Sequence, residues 1–176
     1  QAKVDLGVLH DLGPIRHLST RELAREELFL AGPAGLYGSA AEPVVVDPSV
    51  LNGLPLVLPG EPHGLRQVIE RECRRVGQSP EVAVDLDAIA HIGPLVARGG
   101  LATIAPLPVL AEGLANGSLS VARIGEGGLH RQLCLARNAG RVVTHASVRA
   151  EELFTRVLAR LAENGLWQAQ PAEGLR

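Results

Sequence analysis

The chain has 176 residues, 46 % of them hydrophobic, which suits one ordinary domain or two small lobes and buries a core without staples. Seventeen basic against nineteen acidic residues give a net charge of −2, and only Phe29, Tyr37, Phe154 and Trp167 are aromatic. This argues against a free-standing nucleic-acid binder, which needs a basic stripe or stacking platforms, and a single lysine, Lys3, removes later phosphate-loop and Schiff-base lysines.

The chain opens with Gln1 and holds no methionine, so it is expected to be part of a longer translation product, and a missing signal peptide is uninformative. Residues 4–9 form a short apolar run that predicts a buried strand, with neighbours expected from a preceding segment. Residues 28–31 predict a second strand, closed by Gly32 and Pro33. Residues 34–43, rich in Gly and Ala, read as a loop. Asp47 and Pro48 predict an N-cap and the first position of a short helix that stops at Gly53. A third strand is expected over 54–58. The turn 59–64 then opens a helix with Leu65, Val68, Ile69 and Val76 on one face, ended by Gly77.

Residues 81–86 alternate as a strand, and Asp87 is expected to cap the next helix. Its apolar face carries Ile89, Ile92, Leu95 and Val96, and Gly93 and Pro94 should kink or break it. Residues 101–105 predict a strand ended by Pro106. Pro108 starts a short helix, and Asn116 with Gly117 turns the chain. Two further strands are expected over 119–124 and 132–136, joined by residues 125–128 as a hairpin turn. A long helix over 145–164 places Ala150, Leu153, Phe154, Val157, Leu158 and Leu161 on one face. This order implies an α/β protein with a mostly parallel sheet in its middle section. No apolar run reaches the roughly 18 residues of a membrane span. Cys73 and Cys134 show no C-x-x-C spacing and read as two buried thiols rather than a disulfide.

Open α/β sheets bind ligands outside the carboxyl ends of their strands. His10 and Asp11 end the first strand. Gly60, Glu61, Pro62, His63 and Gly64 follow the third, and Thr103 to Pro106 end the fifth. A Pro-Gly turn before a helix N-terminus offers unpaired N–H groups and the positive dipole end to a carboxylate, sulfate or phosphate. His63 and Arg66 stand where they could add to this, whereas Glu61 would repel an anion or select a ligand with a donor. Without a ligand the same segment is an ordinary turn, His63 a surface residue, and Arg66 part of a solvated face with Arg71 and Arg74. Catalytic signatures fail. There is no G-x-S-x-G elbow, and the six histidines form no H-x-x-x-H pair or Cys/His cluster, so neither metal nor cofactor is expected. The Gly-Glu-Gly-Gly run at 125–128 opens no helix and does not read as a nucleotide loop.

Val4-Asp-Leu-Gly-Val-Leu9, Glu27-Leu-Phe-Leu30 and Leu54-Pro-Leu-Val-Leu-Pro-Gly-Glu-Pro-His-Gly-Leu-Arg66 together resemble the effector-binding domain of LysR-type transcriptional regulators. The last segment is especially similar to the branch of nitrogen-assimilation and cysteine-biosynthesis regulators. Val96-Ala-Arg-Gly-Gly-Leu-Ala-Thr-Ile-Ala-Pro106 is similar to the family's glycine-containing segment, with Leu101 where a second glycine is common. The resemblance implies a fold like type 2 periplasmic binding proteins, with two α/β lobes and a cleft. Lobe I would comprise residues 1–32 and 109–176, incomplete because the usual first strand and helix are absent, and lobe II residues 33–108, with crossings at 32–33 and 106–108. It implies a small, anionic effector near His10, Asp11, Gly60, Glu61, Pro62, His63, Gly64, Arg66, Thr103 and Pro106. It also implies a homodimer or homotetramer in the cytoplasm, without enzymatic activity, reaching DNA only through an N-terminal winged helix-turn-helix that this chain lacks. The competing readings are an extracytoplasmic solute-binding protein and a small enzyme on the same scaffold.

Overall fold

The computed structural model describes residues 4–10, 16–163 and 169–172. The chain divides into two compact units, Gln1–Glu26 with Arg131–Arg176, and Glu27–His130. The expected crossings at 32–33 and 106–108 therefore both fall inside the second unit. The reason is a strand longer than the sequence suggests. β2 spans Leu18–Pro33 rather than residues 28–31, so the division falls within continuous strand and not at the Gly-Pro break. Its first half carries Arg21, Glu22 and Arg25 and has no apolar run to announce it.

In the second unit, β3 is Val44–Val46, β4 Leu56–Leu58, β5 Val82–Asp85, β6 Thr103–Ala105 and β7 Leu119–Ile124. β4 pairs parallel with β5, and a parallel bridge between Leu56 and Ala102 sets it beside β6. β6 and β7 flank β2, both antiparallel to it, and β3 lies parallel to β7. Five strands thus run one way and β2 runs against them. Side chains alternate between two cores, as the strand period of two requires. Leu28, Leu30, Leu56, Leu58, Ile104 and Ile124 face α1 (Gly64–Arg75), which contributes Leu65, Val68, Ile69 and Cys73. Phe29, Ala31, Val57, Ala105 and Val121 face α2 (Ile92–Ala97) and α3 (Leu107–Ala115), through Ile92, Val96 and Leu110. Burial on both faces explains why residues 54–58 read as an unbroken apolar run.

Local signals hold in detail. Asp47 caps the short 3-10 turn Pro48–Leu51 by accepting from Ser49 N–H at 2.9 Å. The helix expected after residue 87 is broken: a 3-10 turn, Ile89–His91, gives way to α2, with Gly93 and Pro94 in its first turn. Two expectations fail. Asp87 caps no helix, because its carboxylate accepts from Gly60 N–H at 3.1 Å instead. Residues 125–128 are not a hairpin turn: among the described residues β7 and β8 (Leu129–Asn138) each pair with β2 and not with one another.

The first unit is a sheet of β1 (Leu6–His10), β8, β2 and β9 (Ala169–Pro171), with β1 antiparallel to β8 and β9 antiparallel to β2. Its buried core is small: Leu23, Ala24, Leu133 and Leu135, with Leu6, Val8, Leu158 and Ala169 packed against them. α4 (His145–Glu163) forms where the periodicity predicts a helix, but no residue of it is buried. Leu153 is 59 % exposed and Val157 45 %, so the stripe expected to face the core is in large part open. The helix meets its own unit through Leu158 and through polar groups: Arg21 pairs with Glu151 at 3.0 Å and donates to Thr155 at 2.9 Å. Both cysteines are buried, and burial first, then the Glu72 charge, pushes the Cys73 thiol up to about 11.

Candidate functional site

The parallel register of the second unit brings the carboxyl ends of β4, β5 and β6 to one edge. Residues 59–63 leave β4 there, Leu86 and Asp87 leave β5, and Pro106 leaves β6. Leu86 N–H donates to Leu58 O at 2.9 Å, and the Asp87 carboxylate holds the Gly60 amide. A Cβ on residue 60 would lie 3.0 Å from that carboxylate oxygen, so a larger residue would push the Asp87 side chain back by a few tenths of an ångström. The turn is completed by His63 N–H donating to Gly60 O at 3.0 Å and by a cis Glu61–Pro62 bond.

His63 is the N-cap of α1. Its Nδ1 accepts from Leu65 N–H at 3.2 Å, which places the neutral imidazole's proton on Nε2. One of the helix's leading amides is therefore already engaged by the residue expected to assist a ligand. Arg66 is engaged more completely. Its side chain is 12 % exposed, its Nε donates to Glu70 at 2.5 Å, and a terminal nitrogen donates to Asp85 at 2.9 Å and to Pro59 O at 3.4 Å. Burial disfavours the charged form, but the hydrogen bonds and charges of Glu70 and Asp85 outweigh it and raise the pKa. Arg66 thus braces α1 against the ends of β4 and β5, and it belongs neither to a solvated face nor to an open anion anchor. Glu70 and Asp85 take up this guanidinium, and Glu61 and Asp87 add two more carboxylates in the adjoining loops, so the edge is acidic. It favours a ligand that brings N–H or O–H donors, and support for an anion is confined to backbone amides of α1.

The remaining expected residues are dispersed. Thr103 opens β6, opposite Ala31, is 1 % exposed, and its hydroxyl finds no partner among the described residues. Pro106 is buried at the N-cap of α3. His10 ends β1 in the other unit, opposite Leu133, and is exposed. Asp11 lies outside the described residues.

The same edge carries a feature that sequence reasoning passed over. Beyond the ends of β3 and β7 lies a cavity of about 530 Å³. Gly125 N–H donates to Val46 O at 2.8 Å, extending the β3–β7 ladder to the glycine run. Gly125 and Gly128 adopt positive φ, +68° and +63°, which glycine alone adopts freely. Arg75 forms part of the wall. Its Nε donates to Glu72 and a terminal nitrogen to Gly128 O, both at 3.0 Å. Beside it Arg123 and Glu27 form a two-pronged ion pair at 2.6 and 3.1 Å. The signal was present as Asp-Pro directly after three valines and Gly-Glu-Gly-Gly directly after an apolar strand. Reading 44–46 as a strand would have set both at strand ends. Among the described residues no group of three or more His, Cys, Asp or Glu is arranged to hold a metal, and no helix is long and apolar enough to cross a membrane.

Comparison with known proteins gives a consistent answer. Residues 1–162 match the LysR substrate binding domain family. An uncharacterized HTH-type transcriptional regulator, YfeR, of Shigella flexneri is 30 % identical over 147 residues, which cover 84 % of this chain and 46 % of that protein. The chain thus spans about half the length of its curated relative. Among solved structures, OxyR of Corynebacterium glutamicum is similar at a TM-score of 0.72 and 17 % identity, covering 92 % of this chain and 52 % of that one. The Synechocystis CcmR regulatory domain in complex with 2-PG is similar at 0.72 and 16 %, covering 88 % and 74 %. The QuiR effector-binding domain in complex with shikimate is similar at 0.66 and 19 %, covering 82 % and 67 %. These likenesses carry the fold, that of type 2 periplasmic binding proteins, and the family match carries the membership: the chain is a LysR substrate-binding domain, from a family of transcriptional regulators.

Proposed function

We propose that this chain is the ligand-sensing part of a cytoplasmic LysR-type regulator, that its two units serve as the two lobes, and that a small effector binds at the ends of β4, β5 and β6. A helix-turn-helix segment outside this chain would contact DNA, and the working form is a homodimer or homotetramer. The observation that carries the reading is the braced loop at residues 59–63. Asp87 holds Gly60, His63 holds Leu65, and Arg66 holds Glu70 and Asp85. The polar groups fix a shape, and this set pairs no nucleophile with a base, which supports a sensor rather than an enzyme. An effector with unequal affinity for two arrangements of the regulator shifts their populations, and that difference is the whole of the signal.

A thermal-shift and calorimetric screen of small metabolites tests it. A ligand at a hundred times its Kd stabilises the chain by about 2.7 kcal/mol, a measurable rise in Tm. The combined change Gly60→Ala and Glu61→Gln should abolish that rise while leaving the unliganded chain folded. Wild-type affinity in the double variant places the effector elsewhere and overturns the site.

A further inference from the structure

We propose that the cavity at the ends of β3 and β7 is a second ligand site, separate from the 59–63 loop, and that it takes a small zwitterion of the amino-acid kind. It needs no part of the effector reading above. Its volume, about 530 Å³, falls within the range of roughly 300–1,000 Å³ of small-molecule sites. Its position, outside the carboxyl ends of two parallel strands, is where α/β sheets take ligands.

The lining fixes the class. Val46, Val76 and Ile124 supply apolar wall, Arg75 a cation, and Asp47 and Glu126 two anions. Arg75 is 53 % exposed at its side chain yet oriented from two sides, by Glu72 and by the Gly128 carbonyl. A guanidinium held this way offers a ligand carboxylate the terminal N–H groups that Glu72 and Gly128 leave unused, at little further entropic cost. Asp47 is aimed by its bond from Ser49 N–H, and hydrogen bonding to Ser49 keeps its carboxyl below the usual carboxylate range. It stays an acceptor for an ammonium group at neutral pH. A simple anion would meet two carboxylates, and a simple diamine would meet a guanidinium. A molecule with one charge of each sign satisfies both walls, with a short apolar part against the valines. Glycines keep the space open: a Cβ on Gly125 would lie 3.3 Å from Pro48 Cγ.

Calorimetry on the full chain tests this with glycine, L-leucine, L-glutamine and L-glutamate, with putrescine as an amine lacking a carboxylate and butyrate as a carboxylate lacking an amine. At least one amino acid should bind, and putrescine and butyrate should not. Asp47→Asn, which keeps a capping residue, and Arg75→Gln should each weaken binding about tenfold or more, the scale of one charge-assisted hydrogen bond, without lowering the unliganded Tm. Putrescine or butyrate binding as tightly as every amino acid overturns the proposal. So does amino-acid binding that survives both substitutions, or no amino-acid binding at about 10 mM, a concentration that would detect a Kd in the millimolar range. A metabolite response lost through Gly60 and Glu61 but kept in Arg75→Gln belongs to the effector loop and leaves this test independent.

Discussion

The two units solve the same problem with different materials. Residues 27–130 bury hydrocarbon on both faces of a sheet, with α1 on one side and α2 and α3 on the other. The unit of residues 1–26 and 131–176 buries six apolar residues, Leu23, Ala24, Leu133, Cys134, Leu135 and Ala136, and its helix leaves Leu153, Phe154 and Val157 exposed. Where the larger unit has a leucine layer, the smaller one has an ion pair. Arg131 donates to Glu26 at 2.6 Å, with side chains 14 % and 5 % exposed. The lesson is that stability and the candidate sites sit together in the unit with the layered core. The smaller unit relies on polar geometry, which tolerates substitution poorly.

The largest expected effect tests that dependence. Removing one member of a buried ion pair takes a charge partner from the other, at a cost of up to about 3–5 kcal/mol. Arg131→Met should therefore destabilise by about that much in urea unfolding, and Glu26→Leu combined with Arg131→Met should recover most of the loss. If the single variant loses under about 1 kcal/mol, the pair behaves as a surface pair and the contrast between the units is broken.

Next in size is a cavity in the layered core. Leu58 is fully buried between β5 and β6. Leu58→Ala should cost about 2–5 kcal/mol, because neighbours on both sides hold the void open. Leu135→Ala in the smaller unit should cost less, since its four-residue core has more room to relax. Equal losses would mean that both cores are equally tight.

Legibility in the sequence follows the same division. The larger unit announced itself, because buried parallel strands are continuous apolar runs and their helices carry clear stops: Gly77 after α1 and Gly117 after α3 both have positive φ. The smaller unit did not. The first half of β2 carries arginine and glutamate, and α4 has the right period but leaves Leu153, Phe154 and Val157 exposed, which no periodicity can reveal. At the candidate site, glycine and proline spacing located the loop. Its wiring stayed hidden, because Asp87 reaches Gly60 across 27 positions and Asp85 reaches Arg66 across 19. The cavity near Arg75 was missed for one reason, three valines at a sheet edge that alternate with nothing.

A smaller effect separates shape from stability within the larger unit. His63→Ala removes the N-cap of α1 and should cost about 1 kcal/mol. His63→Asn, a good capping residue, should restore most of it. If effector response follows the cap and recovers in the asparagine variant, His63 acts by positioning the loop. If response stays lost with stability restored, the imidazole itself touches the ligand.

The smallest effect falls on α4. Leu153 and Phe154 are 59 % and 37 % exposed, in a helix with no buried residue. Apolar side chains that remain in water when folded contribute little to folding, so Leu153→Ser and Phe154→Ser should each change stability by about 0.5 kcal/mol or less. Both should also reduce aggregation on heating, because they shrink an exposed apolar stripe. Arg21→Ala, which removes the polar contact to Glu151 and Thr155, should matter more than either serine change. A loss above about 2 kcal/mol for Phe154→Ser would show that the stripe is covered in solution. The smaller unit would then have a core on each side of its helix, and the contrast with its layered counterpart would narrow.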